Sequence, residues 1–317
     1  MRSSSHCQIT IAGLPIPLNG VLIIDKPAGL TSHDVVNRVR RISQQKSVGH
    51  LGTLDPLATG VLPLVLGSFT RLAQFYNSSE KTYEGQIRFG FATDTYDAQG
   101  QATSPAQQVP LSLDVLRSLA IQFRGIIEQT PPPFSAKKVD GVPAYKMARK
   151  HQDVQLRPVQ VEVKEFEITG CEADVATFRA RVASGTYMRA VAHEMGNRLG
   201  CGAHLAGLRR SAVAEFTLSE ALTLEKVASS VEVQPLEELF VHPRRLLPEM
   251  PCVTATEENV FLMRNGRAVN LPDLSRARQI KVFANQKELI AIAQRVAGTL
   301  FHPKIVLAAQ LARAVRY

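Results

Sequence analysis

The sequence predicts an α+β protein: a mixed, largely antiparallel sheet flanked by helices, followed by a small β-rich C-terminal unit. Three observations lead there. Apolar and polar residues alternate with period 2 at 81–90, 159–169 and 173–182, the mark of half-buried strands. Amphipathic helical spacing falls at 33–45 and 113–123. Beyond about Pro251 only short apolar segments remain, among them Ile280-Lys281-Val282-Phe283.

Taken in order, Gly20-Val21-Leu22-Ile23-Ile24-Asp25 reads as a buried strand, and Lys26-Pro27-Ala28-Gly29 turns the chain. Thr31 and Ser32 are placed to cap a helix from about His33 to Gln45. Val35, Val36, Val39 and Ile42 share one face of it, while Arg38, Arg40, Arg41 and Lys46 lie largely elsewhere, serving either solubility or contact with a polyanion. Next comes Gly49-His50-Leu51-Gly52-Thr53-Leu54-Asp55-Pro56-Leu57-Ala58-Thr59-Gly60, a single carboxylate among small and apolar residues. The glycines allow positive φ and close approach, and Pro56 holds Asp55 out of the helical region. Residues 61–66 read as a buried strand or helix that anchors this loop.

Past the strand at 81–90, Thr93-Asp94-Thr95-Tyr96-Asp97-Ala98-Gln99-Gly100 is an acidic loop, read as an Asx-turn cluster and not as a metal site. The helix at 113–123 closes at Gly125. Residues 129–141 form a Pro-rich, then basic excursion, a pattern frequent in functional lids. Two paired strands follow at 159–169 and 173–182. Ser184-Gly185-Thr186-Tyr187-Met188-Arg189 then leads into a helix with Val191, Met195 and Leu199 on one face. Residues 202–210 return as a strand, Ser219 is placed to cap a last helix, and 235–251 reads as a connection.

The chain has 317 residues, enough for one large and one small domain. With 45% hydrophobic and 21% charged residues it has the composition of a soluble globular protein. No apolar run approaches the ~20 residues of a membrane helix, and the N-terminal segment lacks a signal-peptide core, being broken by Gly13, Pro15 and Pro17. Cys7, Cys171, Cys201 and Cys252 are far apart, which argues against a zinc site or a disulfide framework and fits a reduced cytoplasm. The net charge is +9, and residues 251–317 carry ten Lys and Arg against four Asp and Glu. Such a basic end suggests RNA, DNA or an acidic membrane surface, with salt-sensitive affinity. There is no Trp, so any base stacking falls to Tyr, Phe, His or Arg.

The Asp55 stretch resembles the signature of the TruB family of tRNA pseudouridine synthases, Gly-His-x-Gly-(Thr or Ala)-Leu-Asp-Pro-x-Ala-x-Gly-x-Leu, at every fixed position. Lys26 to Ser32 matches the family's Lys-Pro motif, packed near the active site. Lys81-Thr82-Tyr83, Ser135-Ala136-x-Lys138 with Tyr145, and Gly185-Thr186-Tyr187-x-Arg189 match further motifs. Together the matches run from Gly20 to Leu246. The resemblance implies a pseudouridine synthase fold over residues 1–246, a thumb at about 129–152 that clamps RNA, and a PUA-like RNA-binding domain at 251–317. It implies isomerisation of uridine 55 in the T loop of tRNA, by a monomer that needs no guide RNA, no metal and no cofactor.

The reaction breaks the glycosidic bond between C1′ and N1 of a uridine, turns the base and rejoins it through C5, so a carboxylate acting as nucleophile or base is the central requirement. Asp55 takes that role, whether at C1′, at C6 or on a ribose proton; read alone, it is a turn Asp. A working carboxylate in a water-poor pocket must stay ionised, which a partner cation secures. The resemblance assigns this to Arg189, otherwise a surface arginine set against the helix dipole. Tyr83 stacks on the target base, and is otherwise a core tyrosine. His50 fills the space left by a flipped nucleotide, and is otherwise a capping or solvated residue. Tyr187 and Leu208 line the pocket with Lys26 nearby; by pattern alone Leu208 is core. Arg71, where the family often has Lys, is left outside the site.

Three other readings bear on the sequence. A guide-RNA-dependent relative has the same Asp loop, but the long insertion between Asp97 and Val159 matches the stand-alone type. A non-catalytic RNA-binding protein would leave Asp55, Tyr83 and Arg189 unexplained. An aspartyl-phosphate enzyme is disfavoured, because Leu57 stands where a second carboxylate belongs and no phosphate loop carries a lysine.

Overall fold

The computed structural model describes residues 10–11, 14–15, 18–135, 137–139, 141–150, 152, 154, 156–272 and 276–307. The readings that concern residues 1–7, Gly13, Pro17, Ala136, Asp140 and the last ten residues of the tail lie outside the described residues.

The first strand, β1 (Gly20–Lys26), is buried almost throughout, as its unbroken apolar run requires. Helix α1 (Ser32–Ser43) starts with a capping box: the Thr31 hydroxyl accepts from the Asp34 amide, and the Asp34 carboxylate accepts from the Thr31 amide at 2.9 Å. Val35, Val36 and Val39 point inward. A short β2 (Val48–His50) precedes the Asp55 loop, and β3 (Thr59–Leu66) follows it; of the two alternatives the apolar run forms a strand. Next come β4 (Lys81–Phe89), α2 (Leu113–Ile121), β5 (Gly125–Gln129), β6 (Val159–Glu172), β7 (Val175–Val182), α3 (Met188–Arg198), β8 (Ala203–Val213) and α4 (Leu224–Ser230).

These strands form one sheet in the order β1-β3-β8-β4-β7-β6-β5, with β2 beside β3. All pairings are antiparallel except that of β8 with β3, where Arg209 lies opposite Thr59 and Arg210 opposite Gly60. Helix α3 packs on β8 and α2 on β6. They cover an apolar cluster that joins Val35, Leu54, Tyr83, Phe166, Phe178, Met188 and Val191.

A second sheet has the order β9-β11-β12-β13-β10, from β9 (Cys252–Thr254), β10 (Val269–Asn270), β11 (Gln279–Phe283), β12 (Leu289–Ala297) and β13 (Leu300–Val306). It does not stand apart from the first. Phe283, Leu289, Ile292 and Ile305 share an apolar cluster with Val21 of β1, Val61 and Val65 of β3, and Phe69 on the 3-10 turn just beyond β3. Arg71 donates to the Val306 carbonyl at 2.9 Å, and the buried Lys281 ammonium donates to the Arg244 and Leu246 carbonyls of the connection.

Four local expectations change. Thr223, not Ser219, caps α4, because the chain first makes a short 3-10 turn at Leu218–Glu220. Gly125, at φ +89°, opens β5 and does not cap α2. The tail contains a helix, α5 (Glu257–Arg264), capped by Thr256. Gly49 lies outside the positive-φ glycines, which in this loop are Gly52 and Gly60. Among the described residues, Cys171, Cys201 and Cys252 are unpaired, no His, Cys, Asp or Glu group is placed to hold a metal ion, and no helix is long and apolar enough to cross a membrane.

Candidate active site

Asp55 sits on the loop between β2 and β3, and that loop is held almost entirely through its backbone. From the α1 side, the Ser32 hydroxyl both donates to the Leu54 carbonyl (3.0 Å) and accepts from the Leu54 amide (2.8 Å). The Gly29 amide and the Lys26 ammonium both donate to the Pro56 carbonyl, at 2.8 and 3.4 Å. Lys26 is fully buried and also donates to the Pro27 and Leu30 carbonyls. Burial lowers its pKa to about 8, with the Asp55 charge opposing that shift. From the β8 side, Arg210 donates to the Gly52 and Thr53 carbonyls. Within the loop, the Ala58 amide closes a turn onto the Asp55 carbonyl at 3.1 Å.

With its backbone occupied, the loop leaves the Asp55 side chain 39% exposed, facing a guanidinium that is only 5% exposed. Arg189 Nε stands 2.9 Å from Asp55 Oδ2; the N–H is not aligned as a hydrogen bond, so the contact is electrostatic. The rest of the guanidinium is fixed from the far side: Nη1 donates to the Thr95 carbonyl (3.1 Å) and Nη2 to the Phe134 carbonyl (3.0 Å). A second carboxylate, the buried Asp97, places Oδ2 3.7 Å from Nε. Its other oxygen accepts from Thr95 Oγ1 (2.6 Å) and the Gln99 amide (3.0 Å), so the acidic loop is the expected Asx-turn cluster and also an anchor for Arg189.

Of the remaining predicted residues, Tyr187 and Lys26 lie near enough to this pair to feel its charges, and the others are placed by the elements that carry them. Tyr83, buried on β4, lies in the same apolar cluster as Leu54 and Ala58, which bracket Asp55, and Met188, which precedes Arg189. Leu208 is half-buried on β8, opposite Gly85, and packs against that cluster. Tyr187 precedes α3, and the Gln129 side chain fixes both its amide (2.8 Å) and its carbonyl (3.1 Å). Burial raises the Tyr187 phenol's pKa, against a smaller downward effect of the Ser135 hydroxyl. His50, at the end of β2, is lowered by burial and then by the Arg210 charge, which favours the neutral imidazole.

Residues 40–188 match the TruB family pseudouridylate synthase N-terminal domain, and 189–247 match the tRNA pseudouridylate synthase B C-terminal domain. A tRNA pseudouridine synthase B of Solibacter usitatus is 47% identical over 92% of this chain and 100% of its own length. That of Aquifex aeolicus is 38% identical over the same shares. The chain belongs to the TruB family. Its reaction is tRNA pseudouridylation, an isomerisation. The TruB fold extends to a chain in a solved H/ACA RNP bound to a substrate RNA containing 2′-deoxyuridine, with TM-score 0.66 and 23% identity over 92% of this chain and 85% of that one.

Three residues that hold this arrangement together are missed by sequence reasoning. Asp97 is read as a turn residue, although Thr-x-Asp beside a second acidic residue is its only signal. Gln129 is lost at the start of the Pro-rich excursion. Arg210, next to Arg209 in the sequence, carries nothing to separate it from that half-exposed neighbour, which pairs with Asp25.

Proposed function

We propose that this TruB-family chain converts uridine 55 in the T loop of tRNA to pseudouridine, with the Asp55 carboxylate as nucleophile or base toward a flipped-out nucleotide. One observation carries this reading: a half-exposed carboxylate at 2.9 Å from a buried guanidinium that is immobilised from behind. A nucleotide inside a folded loop is unreachable unless it leaves the stack. Tyr83 stacks on the extruded base, Tyr187 and Leu208 line its pocket, and His50 fills the gap it leaves in the RNA. Lys26 acts from beneath, through the loop. Atoms balance without oxidation: the C1′–N1 bond breaks, a C1′–C5 bond forms, the C5 proton goes to solvent and N1 gains one.

The division of labour follows the two sheets in this reading. Residues 1–246 do the chemistry, 129–152 clamp the RNA, and 251–317 act as a PUA-like module, in a cytoplasmic monomer that uses no guide RNA. Bare tRNA transcript treated with the purified chain is expected to carry pseudouridine at position 55 alone, by chemical mapping. Modification elsewhere, or only with an added guide, would contradict the assignment.

The module's role needs a gentler test than truncation, because removing residues 251–317 would strip apolar cover from Val21, Val61 and Phe69. Between the sheets lies a groove of about 1230 Å³ with the exposed Arg278 and Lys304 on one wall. Replacing both by Gln is expected to weaken tRNA affinity and to reduce the slope of log K against log salt by about 2, with kcat unchanged. An unchanged slope in a filter-binding titration would remove this wall from the RNA path.

A further inference from the structure

Arg210 is the largest side chain that solvent does not reach, at 0% exposure, and among the described residues it has no ion-pair partner. An arginine desolvated without an anion costs several kcal/mol unless its donors are satisfied, and an apolar residue would fill the space at less cost. Each of its three nitrogens donates to a main-chain carbonyl of the segment around Asp55. Nε donates to the Val61 carbonyl at 2.8 Å, Nη1 to Thr53 at 3.3 Å and Nη2 to Gly52 at 3.0 Å. Those carbonyls lie on both sides of Asp55. The backbone beneath is equally committed. Arg210 sits opposite Gly60 in the one parallel pairing of the large sheet, and a Cβ on Gly60, whose φ is +101°, would stand 2.2 Å from the Arg210 carbonyl oxygen. The missing Cβ lets β8 come close enough for the guanidinium to pass under the loop.

The α1 side of the loop has its own supports in Ser32, Gly29 and Lys26, and these reach only Leu54 and Pro56. At Gly52 and Thr53 the side-chain support is Arg210. Without it, two carbonyls beside a positive-φ turn at Gly52 would look to water for partners, and the loop would relax outward. We propose that Arg210 is a positioning residue: it never meets the substrate, and by tying the loop backbone before Asp55 to the strand that follows it sets the carboxylate's distance from Arg189. The inference rests on the reading of Asp55 above. A planar fork reaching three acceptors from two directions is what guanidinium offers and a lysine ammonium does not.

The test compares Arg210→Met and Arg210→Lys with Asp55→Asn and the parent protein. Folded fraction is set by near-UV circular dichroism and thermal unfolding. A displacement of about 1 Å at a reacting group lowers rates about 100-fold. Arg210→Met is therefore expected to lose about 100-fold in kcat per folded molecule, with KM and Kd for tRNA within about threefold. Arg210→Lys, able to reach some of the carbonyls, should recover about tenfold of that loss. A kcat within twofold of the parent in either folded variant overturns the proposal. So does a KM that rises in step with the loss, or failure of both variants to fold, which would make Arg210 a folding residue. Should Asp55→Asn itself retain turnover, the Asp55 reading fails and this inference falls with it; a dead Asp55→Asn beside an active Arg210→Met sinks the inference alone.

Discussion

Asp55→Asn is expected to lower tritium release from C5-labelled uridine in tRNA by about four orders of magnitude, while tRNA affinity stays within about threefold. The substitution is nearly isosteric, and the loop that carries it is held through its backbone by Ser32, Gly29, Lys26 and Arg210, none of which touches the side chain. The amide oxygen can still face Arg189. What is lost is the negative charge and the nucleophilic or basic oxygen, which no neighbour replaces: Asp97 is buried behind the guanidinium with one oxygen already taken by Thr95 and the Gln99 amide. Binding should survive because the proposed RNA contacts of residues 129–152 and 251–317 do not involve the Asp55 side chain. A variant that lost affinity and turnover together would make Asp55 a structural residue.

Arg189→Lys should cost about two to three orders of magnitude in kcat, again with little change in tRNA affinity. The positive charge persists, so a purely Coulombic role would leave activity nearly intact. The geometry argues otherwise. One guanidinium meets the Thr95 carbonyl, the Phe134 carbonyl, Asp97 and Asp55 at once, and its Nε edge is aimed by the partners behind it. An ammonium on a flexible stem cannot span these four. Removing the charge as well, in Arg189→Met, leaves the buried Asp97 without its cation and should also destabilise the fold by about 3 kcal/mol. Single-turnover rates and urea melts of the two variants separate these effects; a lysine variant within threefold of the parent would show that charge alone suffices.

Much of this arrangement was legible in the residues. Period-2 alternation located the long strands, because each has one face on the apolar cluster and one toward solvent. The Gly- and Pro-framed Asp55 stood out because a carboxylate in an apolar string needs a reason. Thr31 announced the start of α1 through local chemistry alone, and the structure adds Asp34 as the other half of its capping box. What stayed hidden depends on contacts between distant segments. The Arg210 clamp crosses about 150 positions of sequence, and its residue type and neighbours fit an ordinary solvated strand. Asp97 makes convincing turn bonds, which conceal that its second oxygen faces Arg189. The packing of the tail on the back of the large sheet was equally invisible, since Phe283 and Ile305 carry no mark of which surface they will meet.

The parallel junction between β3 and β8 in the large sheet has a consequence for how the enzyme comes into being. Antiparallel neighbours can zip from a hairpin, whereas Thr59 must wait for Arg209 before the two can pair. A nascent chain emerging from the ribosome therefore displays the complete Asp55 motif long before it can use it. In the proposed reading catalytic competence is a property of closure and not of the motif, and a growing polypeptide is expected to modify RNA only once residues through Val213 have cleared the exit tunnel.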